Sequence, residues 1–62
     1  MKKEIENMNQ SELIDYAKEI ENGESGRTFQ ESADYYRNNE DIETAEIFDN
    51  MTERWYELEN EE

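Results

Sequence analysis

The chain has 62 residues, and nineteen Asp and Glu against six Lys and Arg give it a formal net charge of -13. A chain of this length folds as one domain and buries only about 60% of its unfolded surface, so its core is thin. It contains no Cys and no His, which excludes disulfides and the usual zinc ligands. We therefore expect no metal and no cofactor, and association with itself or with a partner is the remaining source of extra stability.

The balance of charge and hydrophobicity lies near that of disordered chains, since only 32% of the residues are hydrophobic. However, the chain has no Pro, it has one Trp, four Tyr and two Phe, and its apolar residues recur at helical spacing. These features predict a folded domain over residues 1–62. No apolar run follows Lys2 and Lys3, and no stretch is long enough to cross a membrane. We expect a cytoplasmic protein, of a bacterium or of an infected host cell.

The first predicted helix begins after a capping box. In Asn9-Gln10-Ser11-Glu12, the Asn side chain and the Glu side chain accept hydrogen bonds from each other's backbone N–H. Met8 and Leu13 are placed to form the hydrophobic staple that accompanies this box. The pattern predicts a helix to about Asn22, with Gly23 as its left-handed terminator. Its apolar stripe consists of Leu13, Tyr16, Ala17 and Ile20.

A second capping box, Thr28-Phe29-Gln30-Glu31, predicts a helix that runs to about Arg37. Its apolar face consists of Phe29, Ala33 and Tyr36, whereas Tyr35 points elsewhere. Residues 23–27 between the two helices contain two glycines, but the Lys-Ser/Thr pair of a phosphate-binding loop is absent at the required spacing. We interpret these residues as a connector.

The third predicted helix is the longest and runs from about Glu40 to about Leu58. The acidic residues that precede it lack the ligand spacing of a calcium-binding loop. At 100° per residue, one side of this helix collects the apolar residues Ala45, Ile47, Phe48, Met51, Trp55 and Leu58. The sequence thus predicts an all-α fold, a compact bundle of three helices (short, short, long). The third helix packs across a hairpin of the first two, and an extra turn before Met8 brings Ile5 to the core.

The opposite side of the third helix carries one sign of charge. Arg54 is the only base after residue 38. Like-charged pairs four residues apart each cost about 0.2–0.5 kcal/mol, where a Glu-Lys pair would stabilise the helix by as much. A surface selected for solubility alone mixes both signs, so this arrangement indicates a function. The acids of this arc are Glu43, Glu46, Asp49, Glu53, Glu57 and Glu61.

Catalysis is not expected. The chain lacks His and Cys, its serines have no identifiable base, and 62 residues leave little material for a substrate pocket. Carboxylate pairs suited to glycosidase chemistry arise by chance among nineteen acids. These observations favour a protein that acts by binding.

Two binding functions remain open. In size, charge and helicity the chain resembles the compact acidic DNA mimics of bacteriophages and mobile elements. The resemblance implies a stoichiometric inhibitor that blocks the basic groove of a host nucleic-acid-binding protein and does not bind nucleic acid itself. The alternative is a helical adaptor or regulatory protein, in one version a homodimer, that docks through its apolar and aromatic seam. The residues predicted to bind the partner are Glu43, Glu46, Asp49, Glu53, Glu57 and Tyr56.

The excess of acids predicts that salt stabilises the fold. In about 0.5 M NaCl the Debye length is about 4 Å, so repulsion between exposed carboxylates is largely screened. We expect the melting temperature, followed by circular dichroism, to rise between low salt and this concentration. A melting temperature that falls as NaCl is added would contradict the prediction.

Overall fold

The computed structural model of the protein describes residues 4–23 and 26–60. No strand occurs among them, and the predicted all-α bundle of two short helices and one long helix is confirmed. The predicted extra turn before Met8 is also present, as a 3₁₀ turn. The elements in chain order are the 3₁₀ turn (Ile5–Asn7), α1 (Gln10–Glu21), α2 (Phe29–Asn38) and α3 (Ile42–Asn60).

Both predicted capping boxes are formed. The side chain of Asn9 accepts a hydrogen bond from the backbone N–H of Glu12 over 2.8 Å, and the Glu12 carboxylate accepts one from the backbone N–H of Asn9. Thr28 and Glu31 make the same reciprocal pair at the start of α2. Thr28 lowers the pKa of the Glu31 carboxyl, mainly through the hydrogen bond from its backbone N–H and to a smaller extent through its hydroxyl. These local bonds fix where α1 and α2 begin.

The end of α1 differs from the prediction by one residue. The first left-handed residue is Asn22, with φ of 60° and ψ of 38°, and the predicted Gly23 follows it with a positive φ of 128°. The backbone N–H of Gly23 then donates to the carbonyl of Lys18 over 2.8 Å. Asn tolerates this conformation better than other residues with a Cβ, because its short polar side chain hydrogen-bonds locally.

The start of α3 also differs, since the helix begins at Ile42 and not at about Glu40. Glu40 lies in the left-handed region with φ of 64°, which a right-handed helix does not allow. Asp41 instead caps α3, because its side chain accepts a hydrogen bond from the backbone N–H of Thr44 over 3.3 Å. At the other end the helix continues to Asn60, two residues beyond the predicted Leu58.

The core contains the predicted apolar residues of all three helices. Phe48 and Leu13 are fully buried. The Phe48 ring stacks on Tyr36, with centroids 5.6 Å apart, and lies 6.3 Å from Phe29. Met8 belongs to the same buried cluster as Leu13, as the staple requires. The partly buried residues around this cluster are Ile5, Tyr16, Ala17, Ile20, Phe29, Tyr36, Ile47, Trp55 and Leu58.

The pairing of the helices differs in detail from the prediction. The helices packed most closely are α2 and α3, while α1 and the 3₁₀ turn pack less extensively on α3. The sequence pattern predicts a hairpin of α1 and α2 instead. The physical reason is the length of the connections, because three residues join α2 to α3 and a longer segment joins α1 to α2. A short turn forces its two helices to lie side by side and antiparallel.

The left-handed backbone at Glu40 generates a stability prediction. Glu40→Gly removes the Cβ that disfavours this conformation, and the free energy of unfolding should rise by about 0.5–1 kcal/mol in urea denaturation. Glu40→Gln is the matched control, since it removes the same charge but keeps the Cβ. If the Gly variant is no more stable than the Gln variant, the backbone at this position is not strained.

Candidate acidic interface

Four of the predicted partner-binding acids lie together on the surface of α3. Glu43, Glu46, Glu53 and Glu57 are all exposed. They line one side of a groove of about 530 Å³ between α3 and the N-terminal part of the chain. Glu61, which the sequence placed on the same arc, lies outside the described residues.

The opposite side of this groove carries two further acids, which are not among the predicted partner-binding residues. Glu4 and Glu6 flank Ile5 in the N-terminal segment, and both are exposed. Ile5 packs against the core, which turns its two neighbours outward. The Glu-Ile-Glu pattern indicates an apolar residue between two exposed acids. It does not indicate that these acids lie opposite α3, because that position depends on the tertiary fold. We call this feature the acidic groove; it is lined by Glu4, Glu6, Glu43, Glu46, Glu53 and Glu57, together with Ile5, Tyr16, Ile47, Asn50 and Arg54.

Arg54 has a structural role at this groove. Its Nε donates a hydrogen bond to the backbone carbonyl of Met8 over 2.8 Å, which ties α3 to the chain before α1. The same guanidinium lies 3.5 Å from the carboxylate of Glu57. Its side chain is only 20% exposed, whereas that of Glu57 is 65% exposed, so the carboxylate is the more accessible partner of this pair.

Asp49 is placed differently from the other predicted acids. Its carboxylate forms an ion pair with Arg37 of α2. Arg37 also lies 3.2 Å from Asp34, so it links two acids on neighbouring helices. Asp49 therefore faces α2 and does not line the acidic groove. The acids that helical spacing places on one side of α3 thus belong to two separate parts of the surface.

Tyr56 lies on another side of α3 and is 56% exposed, so it is exposed as predicted but does not join the acidic groove. It lines a second depression of about 390 Å³ between the start of α2 and the C-terminal half of α3. Tyr35, the other tyrosine predicted off the core, is 47% exposed. We call the depression the aromatic groove; it is lined by Arg27, Thr28, Phe29, Gln30, Thr52, Trp55, Tyr56 and Glu59.

A buried carboxylate connects α1 to α2. The Glu21 side chain is only 6% exposed and forms an ion pair with Arg27. It also accepts a hydrogen bond from the Ser32 hydroxyl over 3.1 Å and interacts with the hydroxyl of Tyr36. The hydrogen bond with Glu21 raises the pKa of Arg27. Because its partners offset the burial of the carboxylate, we assign Glu21 to the structure and not to binding.

Neither a metal-binding cluster nor a buried polar side chain without a partner occurs among the described residues. No group of three or more carboxylates in the described part of the chain is arranged to hold a metal ion. Every buried side-chain nitrogen or oxygen among residues 4–23 and 26–60 has a hydrogen-bond partner. No helix in the part of the chain that the structure describes is long and apolar enough to cross a membrane.

Comparison with protein families, with curated proteins and with solved structures finds no match to this chain. Any functional inference therefore rests on the chemistry of the two grooves and of the surface around them.

The contacts of Tyr36 predict a loss of stability at alkaline pH. Burial, and then the negative charge of Glu21, raise the pKa of the Tyr36 phenol above its usual value of about 10. A raised pKa in the folded state stabilises the fold below pH ~10, and this contribution is lost as the pH rises towards the folded-state value. The free energy of unfolding of Tyr36→Phe should therefore fall less steeply above pH ~10 than that of the original protein.

Urea denaturation at a series of pH values between about 8 and 11 measures these slopes. Tyr56→Phe is the control, because it removes a phenol hydroxyl from the surface and leaves the contact between Tyr36 and Glu21 intact. Equal slopes for Tyr36→Phe and the original protein would contradict the role given to the Tyr36 phenol.

Proposed function

We propose that this protein is a stoichiometric inhibitor that imitates nucleic acid and occupies the basic groove of a nucleic-acid-binding protein. The observation that carries the proposal is the acidic groove, where acids from α3 and from the N-terminal segment surround one depression. The target class consists of nucleases, restriction enzymes, CRISPR effectors and polymerases, whose nucleic-acid-binding surfaces are rich in Lys and Arg. An origin in a bacteriophage or mobile element, with action in the host cytoplasm, belongs to the same proposal.

The spacing of the acids on α3 supports imitation of a phosphate backbone. Among the acids of the groove, Glu43 and Glu46 are three residues apart and Glu53 and Glu57 four, and side chains at these spacings are about 5–6 Å apart on a helix. A strand of duplex DNA carries one charge per about 3.4 Å of its axis, so both structures present negative charges a few ångström apart, about 1.5- to 1.8-fold more widely on the helix. A basic surface that binds phosphates can therefore meet several carboxylates of this helix at once.

The net charge supports the same mechanism through the rate of association. With a charge of -13, the protein attracts a basic surface over distances of the order of the Debye length, about 10 Å at 0.1 M salt. Such attraction raises association rates by about 10–1000-fold over those of neutral partners. An inhibitor that must reach its target before nucleic acid does benefits from this effect.

The second candidate function is the adaptor, which the aromatic groove favours. Trp55 and Phe29 line it, and Tyr56 stands more than half exposed at its edge. Exposed aromatic side chains next to a depression are typical of protein-protein contacts, where Trp and Tyr contribute much of the binding energy. If the protein is an adaptor, its acids keep it soluble and attract the partner electrostatically. In the homodimeric form of this function, the partner is a second copy of the chain.

The acidic groove can be tested by charge removal without loss of shape. A variant with Glu43, Glu46, Glu53 and Glu57 all changed to Gln should lose at least about tenfold in affinity for the partner, because each lost charge-assisted contact costs about 1 kcal/mol or more. Its melting temperature should stay equal or rise, since like-charged neighbours are removed. The measurement is capture of proteins from a bacterial lysate on the immobilised variant, quantified by mass spectrometry, with melting followed separately.

The matched control removes the same number of charges from acids that do not line the acidic groove: Asp15, Glu19, Asp34 and Glu40. This control should capture the same partner as the original protein. If the groove variant retains the partner as well as the control does, the imitation of nucleic acid is wrong.

The adaptor makes the opposite prediction. Tyr56→Ala should then weaken capture more than the groove variant does, and the captured partner should remain bound at high salt. A solution mass equal to the 7.5 kDa monomer at high protein concentration, measured by light scattering, would contradict the homodimer version.

A further inference from the structure

The aromatic groove is a preformed depression with an apolar floor. The rings of Phe29 and Trp55 meet edge to face, with centroids 5.5 Å apart and planes 81° apart, which fixes their orientation. Tyr56 is mostly exposed and stands at the edge. The groove therefore offers ring surfaces to a ligand without rearrangement of the core.

The two charged residues that line the aromatic groove differ in availability. Glu59 is exposed on the last turn of α3. Arg27 is also at the groove, but its guanidinium is paired with Glu21 and lies 4.3 Å from the centroid of the Tyr35 ring. The Arg27 charge is thus balanced within the protein, and the charge that the groove offers to a ligand is negative.

We propose that the aromatic groove binds the side chain of an arginine from the cationic partner. The aliphatic stem of arginine matches the apolar floor, and its planar guanidinium stacks on aromatic rings while it donates to a carboxylate. The rings of Trp55 and Tyr56 provide the stacking surface, and Glu59 accepts the hydrogen bonds. A negatively charged ligand would meet Glu59 and a protein of net charge -13, and an uncharged apolar side chain would leave Glu59 without a partner.

The position of the aromatic groove relates it to the acidic groove. Tyr56 and Glu57 are neighbours in sequence, yet they line different grooves on two sides of α3. A single basic partner that straddles the C-terminal half of α3 therefore reaches both. That the arginine belongs to the partner of the acidic groove rests on the proposed function, whereas the preference of the aromatic groove for arginine does not.

The experiment uses a capped Gly-Arg-Gly tripeptide as the probe and the indole N–H resonance of Trp55 as the reporter. Trp55 is the only tryptophan of the chain, so this resonance reports on one site. We expect it to shift and saturate with the arginine peptide at millimolar concentration. The peptide in which citrulline replaces arginine has nearly the same shape without the charge, and should bind at least about threefold more weakly.

Two variants locate the contacts, and one serves as control. Tyr56→Ala and Glu59→Gln should each lower the affinity for the arginine tripeptide by about three- to fivefold, which is the loss expected for one exposed cation–π or charge-assisted contact. Glu53→Gln removes the same charge as Glu59→Gln from the same helix but lines the acidic groove, and should leave binding at Trp55 unchanged.

Three results would overturn the proposal. They are equal binding of the citrulline and arginine peptides, loss of binding in Glu53→Gln as large as that in Glu59→Gln, and saturating shifts that leave the Trp55 indole unaffected. The tripeptide measurement requires no partner protein. The tripeptide can therefore fail to bind at Trp55 while the variant with four Gln substitutions in the acidic groove still loses its partner. The opposite result, in which the tripeptide binds and this variant keeps its partner, can also be recognised.

Discussion

The ring of Phe48 packs between α2 and α3, and the rest of the bundle depends on this contact. It is fully buried, stacks on Tyr36 and approaches Phe29. Helices of 10 and 12 residues, the lengths of α2 and α1, are marginal in water when isolated. Their stability therefore comes from the apolar stripe that each buries against α3, and the two short helices hold their positions only while that core is intact.

This thin core carries a large opposing charge. The acids outnumber the bases by thirteen, and the repulsion among them lowers the stability of the compact state. The tertiary ion pairs offset the repulsion at the helix contacts, as Arg37 does with Asp49 and Arg27 does with Glu21. Of the described residues that line the acidic groove, six are acids and Arg54 is the one base, so negative charge accumulates where α3 faces the N-terminal segment. A cationic partner placed there would relieve the repulsion, and binding and stability would then be coupled.

Features set by neighbouring residues could be predicted from the sequence, and features set by contacts between helices could not. The capping box at Asn9, like the one at the start of α2, involves residues three apart, so its pattern was sufficient. The left-handed Glu40 was missed because no glycine marks it. Within the candidate site, helical angles correctly grouped four acids of α3. They could not show that Asp49 pairs with α2 or that Glu4 and Glu6 complete the groove, since both depend on how the helices pack.

If the protein imitates nucleic acid, the two compete for one basic surface of the partner. The most direct test is a competition titration, in which duplex DNA is added at constant ionic strength to the complex of this protein with its captured partner. A neutral polymer of similar size serves as the control. We expect DNA to displace the protein completely, without formation of a ternary complex. A stable ternary complex, or a partner without affinity for nucleic acid, would contradict it and would favour docking through the aromatic and apolar seam.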